Sequence, residues 1–595
     1  MRILARIWRL LDRAQRRQLI ALQLLSVVVA LSAVGGIAGV VPFFAVLADS
    51  RSIERNVILH TLYQDLHFTS QGSFVVALGS AFAALILLAN AVSLFGTLAI
   101  ERFALRVGDT LFVRLFQEYL RRDYRFHLRS NATVLASNVL NETGRVSICI
   151  LQQGLVLVTN LVTIAFIMAS LLLVSPLVAV GATIGLGAVY GAVYWTTRGL
   201  LLRNGRNQSL YRAERAQIVN ESFGAIREII ILNAREFFVQ RFAGRCRAYS
   251  EVEFTTHAIS SSPRYVLECA IVCCLVAVAL YLRGGSDGVG PWLAELSFIG
   301  LAAYRLMPAL QQTFTAIVSI RANHGAFESI AAELEQGGAC AENGPAVELD
   351  RPWRDRPHRE IRAHEVSFRY AAERAPAISS LSLRIPAGTA VGFVGANGSG
   401  KTTLVDMLAG LLIPASGHVE VDGIELEHAN RGAWQAAIAY VPQHVFLLDA
   451  TLAENIALGM PRERIDHDRL ALAVKLARLG ECVASLPHGY DERLGDRGNR
   501  LSGGQRQRLG IARALYRDAS VLILDEATSA LDNAAEEEIV DTLDALRPSR
   551  TLLMIAHRLS ALRHCDVIHE LKNGRIVRSG TYADLQPTLR TRTVA

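Results

Sequence analysis

Six long apolar stretches, at roughly 19–48, 73–100, 147–174, 177–202, 257–282 and 291–319, alternate with arginine-rich segments in the first half of the chain. Each reaches the roughly 20 residues that a helix needs to cross a bilayer, so the pattern predicts six membrane-spanning helices. The first stretch ends in Ala45-Val46-Leu47-Ala48, a passable leader-cleavage site. Its apolar run is about twice the core of a signal peptide, however, so a retained span is expected. Segments 101–146 and 203–256 keep helical apolar periodicity while becoming charged, which predicts that the spans continue as helices beyond the membrane. At the start, Leu4, Ile7, Trp8 and Leu11 recur at helical spacing among arginines and read as an interfacial helix entering the bilayer.

Arginine placement sets the orientation. Arg2, Arg6, Arg9, Arg13, Arg16 and Arg17 precede the first span, Arg102 through Arg129 follow the second, and Arg198 through Arg247 follow the fourth. The alternate loops near 49–72, 175–176 and 283–290 are short and hold few positive charges. The positive-inside bias therefore puts both ends of a multi-pass chain in the cytoplasm. From 321 to about 360, Gly337-Gly338, Gly344-Pro345, Pro352 and Pro357 lie among alternating charges, which reads as a linker. Beyond it, Val366-Ser367-Phe368, Val391-Gly392-Phe393-Val394 and Val521-Leu522-Ile523-Leu524 predict strands of a soluble α/β domain. The expected division is a membrane domain over 1–320, a linker over 321–360 and the soluble domain over 361–595.

Composition agrees with a membrane protein: 51% of the 595 residues are apolar and only 19% charged. The net charge of +7 comes almost wholly from arginine, since the lysines are Lys401, Lys475 and Lys572. These charges cluster in particular loops rather than in one stripe, so no nucleic-acid partner is expected. The eight cysteines show no metal spacing, and Cys269, Cys273 and Cys274 lie in an apolar run as small hydrophobes.

Chemistry enters with Gly395-Ala396-Asn397-Gly398-Ser399-Gly400-Lys401-Thr402-Thr403. Glycines let backbone N–H groups close around a phosphate at a helix N-terminus, Lys401 adds a point charge, and Thr402 offers a hydroxyl to Mg²⁺. About a hundred residues later Leu501-Ser502-Gly503-Gly504-Gln505 precedes the acidic strand end Asp525-Glu526. A lone phosphate loop leaves many nucleotide-binding families open, whereas this combination at this distance is far more restrictive.

Together these motifs resemble the ABC transporter superfamily, and six spans ahead of one ATPase domain resemble an exporter half-transporter. The expected fold is a helical transmembrane domain of the type IV exporter kind, followed by an α/β P-loop ATPase domain. The resemblance covers essentially the whole chain, motif-dense over 361–580 and architectural before that. It implies ATP and Mg²⁺ as cofactors. Tyr370 would stack on adenine; Gly395, Asn397, Gly398, Ser399, Gly400, Lys401, Thr402 and Thr403 would hold the phosphates; Thr402, Gln443 and Asp525 would serve the metal. Glu526 would polarise the attacking water, and His557 would contact the γ-phosphate. Gln443 would also report site occupancy to the membrane domain. Ser502, Gly503, Gly504 and Gln505 would complete the site of a partner chain. One chain holds one of each element, so a dimer is implied, and intact motifs favour a homodimer over a heterodimer. Ser529-Ala530-Leu531-Asp532 resembles the loop that crosses to the partner. Gly495-Asp496-Arg497-Gly498 resembles the exporter X-loop with Asp in place of the commoner Glu. Residues 229–238 and those near 128–136 resemble the two coupling elements.

The cargo is less well marked. Arg264 and Glu268 are four residues apart, and Arg305 lies near Pro308 in the last span. Such charges either pair with each other or face a cavity, where the arginines would suit a phosphate or pyrophosphate headgroup. Residues 42–48, 262–268 and 303–308 are similar to bacterial flippases for lipid-linked oligosaccharides, and 50–70 would form the short external helix of those proteins. ATP-driven export of an amphipathic or lipid-linked substrate across a bacterial inner membrane is thus expected. A general lipid or multidrug exporter is the alternative, and an ATP-gated channel is the reading from another class.

Overall fold

The computed structural model describes residues 2–340 and 359–590, apart from 49–52, 54–56, 66, 69, 286–288, 372, 374, 496–497, 529–531, 547–548 and 557–558. Contacts divide the chain into two units, Met1–Arg122 with Ser130–Glu342, and Asp123–Arg129 with Asn343–Ala595.

Among the described residues of the first unit, five helices are long and apolar enough to cross a membrane: Arg13–Leu47, Gln71–Arg121, Ala132–Val174, Pro176–Gly224 and Arg235–Ala277. The sixth expected span lies within the helix Val289–Ala322. Glu295, Arg305 and Arg321 interrupt its apolar character, and it is not among the five. Its Phe298, Ile299, Ala302 and Leu306 nevertheless join Ile37, Val40, Ile167 and Leu171 in one buried cluster. Local signals explain the helix ends. Asp12 and Gln15 form a capping box, Ser70 caps Gln71–Arg121, and Pro176 opens its helix where no amide partner is required. At 51 residues, Gln71–Arg121 is about 75 Å long, more than twice the hydrocarbon thickness, so the expected extension beyond the bilayer is present.

Two features lock the extended helices together. A Cβ added to Gly205 would stand 2.1 Å from the carbonyl oxygen of Ala322, so only glycine permits this crossing. Nearby, the buried Arg145 guanidinium donates to Glu142, Asn323, Ser209 and Gln208, each at 2.8 Å. A buried cation is tolerated when it is paired and its donors are satisfied in this way.

The segment Arg2–Leu10 is helical as expected. Ile7 and Leu11 are buried in the protein while Trp8 stays exposed, and Arg6 bridges to Glu335 at 2.7 Å. Within 50–70, Val57–Asp65 forms a helix whose Leu59 packs with Val46, Ile53 and Phe74. The stretch 321–360, expected as a linker, is helical at its start. Residues 324–340 form the helix His324–Cys340, and Ala326, Phe327, Ile330, Ala331 and Leu334 are buried in the first unit. Cys269, Cys273 and Cys274 are exposed on their helix rather than packed inside the unit.

The second unit contains two sheets. β1 (Glu360–Phe368), β2 (Ile378–Pro386), β4 (Ser416–Val421) and β5 (Ile424–Glu425) form an antiparallel sheet in the order β2-β1-β4-β5. β3 (Ala390–Val394), β6 (Ile438–Val441), β7 (Val521–Asp525), β8 (Thr551–Ile555), β9 (Val567–Lys572) and β10 (Arg575–Gly580) form the other, ordered β10-β9-β3-β8-β7-β6. Pairs from β9 to β6 are parallel, and β3, β7 and β8 are buried at every position. Continuous apolar strands are what a sheet covered on both faces requires. All three strands predicted from sequence are present. In such a sheet ligands gather beyond the carboxyl ends of the strands, and here β3 leads to the phosphate loop, β6 to Gln443 and β7 ends at Asp525.

Candidate nucleotide site and membrane cavity

Beyond β3 the chain turns through Gly395–Gly400 into the helix Lys401–Leu408. Gly400 sits at φ 104°, and a Cβ there would approach the carbonyl oxygen of Ala377 to 2.5 Å. The loop is therefore closed to any side chain at that point and presents backbone instead. Lys401 Nζ donates to the carbonyls of Gly395 and Ala396 at 2.8 and 3.1 Å, folding the ammonium over the loop. Burial lowers its pKa, while the Glu526 and Asp525 carboxylates oppose the shift. Ser399 Oγ is buried with no hydrogen-bond partner. An orphaned donor in a cradle of backbone amides beside a cation fits a phosphate ligand.

At the adjoining strand ends, Asp525 is buried and hydrogen-bonds with Thr402 and with the Tyr440 hydroxyl, which donates at 3.1 Å. Burial raises the Asp525 pKa most, and the bonds from Tyr440 and Thr402 oppose it. Thr402 and Asp525 thus form a hydroxyl–carboxylate pair of the kind that holds a hard divalent cation through oxygen ligands. Glu526, at φ 51°, accepts from Gln443 Nε2 at 2.6 Å. Tyr370 donates to or accepts from Thr403 Oγ1 at 3.0 Å and packs edge-on to Phe368, so the aromatic stands beside the loop.

Two groups here were not foreseen. Asp406, on the phosphate-loop helix, is buried; desolvation and the neighbouring Asp525 charge push its pKa up to about 7. Tyr440 is also raised, by burial first and then by the same carboxylates. An acid at the inward face of Lys401–Leu408 was the available signal for the first; nothing local marked the second. The segment Asp123–Arg129 belongs to this unit too. Asp123 meets Arg431 at 3.1 Å, Arg129 donates to the Tyr370 carbonyl, and Tyr124 senses the Asp406 charge. The first coupling element was expected near 128–136; the residues gathered here are 123–129.

Ser502 caps the helix Gly503–Arg517 in a capping box with Gln505, and Ser502 and Gly503 are exposed. Among the described residues no hydrogen bond links Ser502, Gly503, Gly504 or Gln505 to Lys401 or the phosphate loop. His557, Asp496, Arg497 and residues 529–531 lie outside the described residues.

In the first unit, Arg305 donates to Asn90 Oδ1 at 3.0 Å and lines a pocket of about 630 Å³ with Thr97, Glu101, Asn160, Gln312 and Ile167. Ile167 also borders an apolar pocket of about 250 Å³ lined by Leu171, Leu267, Ile271 and Leu306. Arg264 is exposed and lines neither pocket, and among the described residues it forms no ion pair with Glu268. The two candidate arginines are not brought together within one chain.

A phosphate cradle, an acidic strand end and a Ser-Gly-Gly-Gln helix start with Ser502 and Gly503 exposed, on a chain with helices long and apolar enough to span a membrane, define a membrane-embedded ATPase. Known proteins sharpen that class. Family models described as ABC transporter and as ABC transporter transmembrane region match residues 378–529 and 19–284. An ATP-dependent lipid A-core flippase of Burkholderia pseudomallei is 30% identical over 562 residues, 92% of this chain and 90% of that one. A protein of the same name from Ralstonia nicotianae is 45% identical over 232 residues, and this match spans only 39% of either chain. The solved structure of a bacterial Atm1-family ABC exporter with ATP bound has a TM-score of 0.78 at 22% identity, covering 98% of this chain and 99% of that one. The chain belongs to the ABC transporter family. It has the exporter fold, a transmembrane helical region followed by a nucleotide-binding ABC ATPase domain, and it is an integral membrane protein.

Proposed function

We propose that this chain is an ATP-driven exporter that works as a homodimer and carries an amphipathic lipid with a phosphate-bearing headgroup. The observation that carries the reading is the polar pocket holding Arg305, which meets an apolar pocket at Ile167. A guanidinium with side-chain amides suits a phosphorylated headgroup, and the apolar wall suits acyl or prenyl tails. Glu101 lines the same polar pocket, so selectivity rests on placement of the cation rather than on net charge. Relatives named lipid A-core flippases support a glycolipid. A pyrophosphate-linked oligosaccharide remains our favoured cargo. The apolar pocket taken alone favours the second reading, a general lipid or multidrug exporter.

In the ATP site, Lys401, Ser399 and the loop amides would bind the phosphates, with Tyr370 against the base. Thr402, Asp525 and Gln443 would hold Mg²⁺, which when bound neutralises charge on the transferring phosphate. Glu526 would orient and polarise the attacking water, with His557 at the γ-phosphate. Phosphoryl transfer depends on positioning and charge stabilisation, so the site reacts only once enclosed. Ser502, which is exposed, and Gly504, which is half-buried, share no hydrogen bond with the described phosphate loop of their own chain and would complete the site of the partner. The exposed apolar tip Ile230, Ile231 and Leu232 supports docking on that partner. Closure would then swing rigid helix pairs and alternate the cavity between faces of a bacterial inner membrane.

The test is ATPase activity in nanodiscs with and without a polyprenyl-pyrophosphate glycan. Stimulation in the parent that is lost in Arg305→Ala, with basal hydrolysis retained, is the expected result. Equal stimulation of both proteins would remove Arg305 from cargo binding.

A further inference from the structure

One cluster of metal-ligating side chains stands apart from the nucleotide site: His364 on β1, and His418 and Glu420 on β4. The strands are antiparallel, with His364 directly opposite His418. Glu420 follows His418 by two residues, so the strand repeat brings it to the same face. Ala363, Val419 and Val421 point into the core, which leaves the three polar side chains together on the opposite, partly exposed face.

The backbone fixes this pairing beside the histidines. The β1/β4 register shifts between His364 and Ser367, and Glu365 has φ 44°. Such bulges re-aim side chains and pin register. Gly417, at φ 73°, lies so close to β1 that a Cβ would stand 2.2 Å from the His364 carbonyl oxygen.

Both histidines turn toward one carboxylate. His418 Nε2 lies 2.9 Å from Glu420 Oε1, and His364 Nε2 lies 3.4 Å from Glu420 Oε2. The rings are 4.9 Å apart, and one ligand atom from each residue lies within 4.8 Å of the other two. Bonds of about 2.1 Å to a tetrahedral ion would separate ligand atoms by about 3.4 Å, so small side-chain rotations suffice. Arg362, paired with Glu420 across the strands, sends its guanidinium to Glu360 at 2.6 Å and leaves the Glu420 carboxylate to the histidines.

The geometry points to a divalent transition-metal site, with Zn²⁺ the foremost occupant, formed by His364, His418 and Glu420. Two imidazoles and a carboxylate match zinc and its neighbours, whereas Mg²⁺ and Ca²⁺ require oxygen cages. Three protein ligands leave one position for water. The ion would cross-link β1 to β4, in the sheet whose β1 ends two residues before Tyr370. Binding to the folded state alone would also stabilise this sheet by mass action.

The test uses tag-free full-length protein in detergent with saturating Mg²⁺-ADP, which keeps added metal out of the nucleotide site. Zn²⁺ binding is measured by equilibrium dialysis, and Co²⁺ serves as a spectroscopic probe. We expect the parent to bind one more Zn²⁺ per chain than His418→Gln or Glu420→Gln, or to bind it tighter by about tenfold or more. Its Co²⁺ complex should show visible ligand-field bands that Zn²⁺ displaces, and Zn²⁺ should raise its melting temperature. Mg²⁺-dependent ATPase activity equal to the parent establishes that the variants are folded. Parent and both variants binding the same Zn²⁺ with the same affinity would overturn the site, as would a parent with no Zn²⁺-displaceable Co²⁺ bands. Either result would reduce the cluster to a surface ion pair.

Discussion

Glu526 stands at the junction of β7 and the following turn, its carboxylate held by Gln443. In its proposed role of general base it is replaceable in shape but not in charge. Glu526→Gln should therefore keep nucleotide binding while lowering hydrolysis by about 10²–10⁴-fold, read by ATPase assay beside a fluorescent-nucleotide titration. Near-parental turnover would remove the residue from the chemistry. Asp406 makes a different prediction. Its folded pKa of about 7 lies above the reference 3.8. The native state therefore binds the proton more tightly, and stability falls as pH rises between those values. Above about 7 the fold carries the whole penalty of a buried anion. Asp406→Asn should melt higher than the parent at pH 8 without nucleotide, and that gain should shrink toward pH 4. A gain independent of pH would refute the assignment. The phosphate loop was legible in sequence because a backbone cradle tolerates few residue types at Gly400 and Lys401. Tyr440 was not, since its bond to Asp525 comes from the β6/β7 register across 85 residues. Arg305 was legible as a costly charge, but Asn90, 215 residues away, was not.

At the scale of elements, spacing outperformed composition. The helix His324–Cys340 was hidden by Gly337-Gly338 and the prolines downstream, although Phe327, Ile330, Ala331 and Leu334 recur at helical intervals and are buried. The long helices were readable because apolar periodicity continued through charged segments. Their crossing at Gly205 was not, since it depends on Ala322 in another helix. The short helix Tyr124–Arg129 sits with the ATPase unit through Asp123–Arg431 and the Arg129 bond to Tyr370. A partly exposed ion pair of this kind stabilises by no more than about 1 kcal/mol, so a communicating role is separable from a structural one. Asp123→Ala should leave the melting temperature and basal ATPase nearly unchanged while reducing cargo stimulation. Unaltered stimulation would confine the pair to surface packing.

For the whole molecule, the decisive question is which chain's Ser502 serves which Lys401. If sites are shared, mixing Lys401→Ala chains with Ser502→Arg chains restores one intact site per mixed dimer, and hydrolysis should exceed that of either variant alone. A double variant mixed with parent chains should gain nothing in its mixed dimers. The reverse ranking would show that each chain completes its own site. Both the spans and the ATPase motifs were legible, because membrane insertion and phosphate binding each impose strong local patterns. The proposed pairing of Ser502 with the Lys401 of a second copy was not, because it would arise only in an assembly and not within one polypeptide. The Ser502 hydroxyl already accepts the Gln505 amide at the first turn of its own helix. With Ser502 held at the first turn of its own helix and free to meet the nucleotide of a second copy as proposed, fuel consumption in dilute detergent should climb faster than linearly with protein concentration until encounters between copies cease to be limiting.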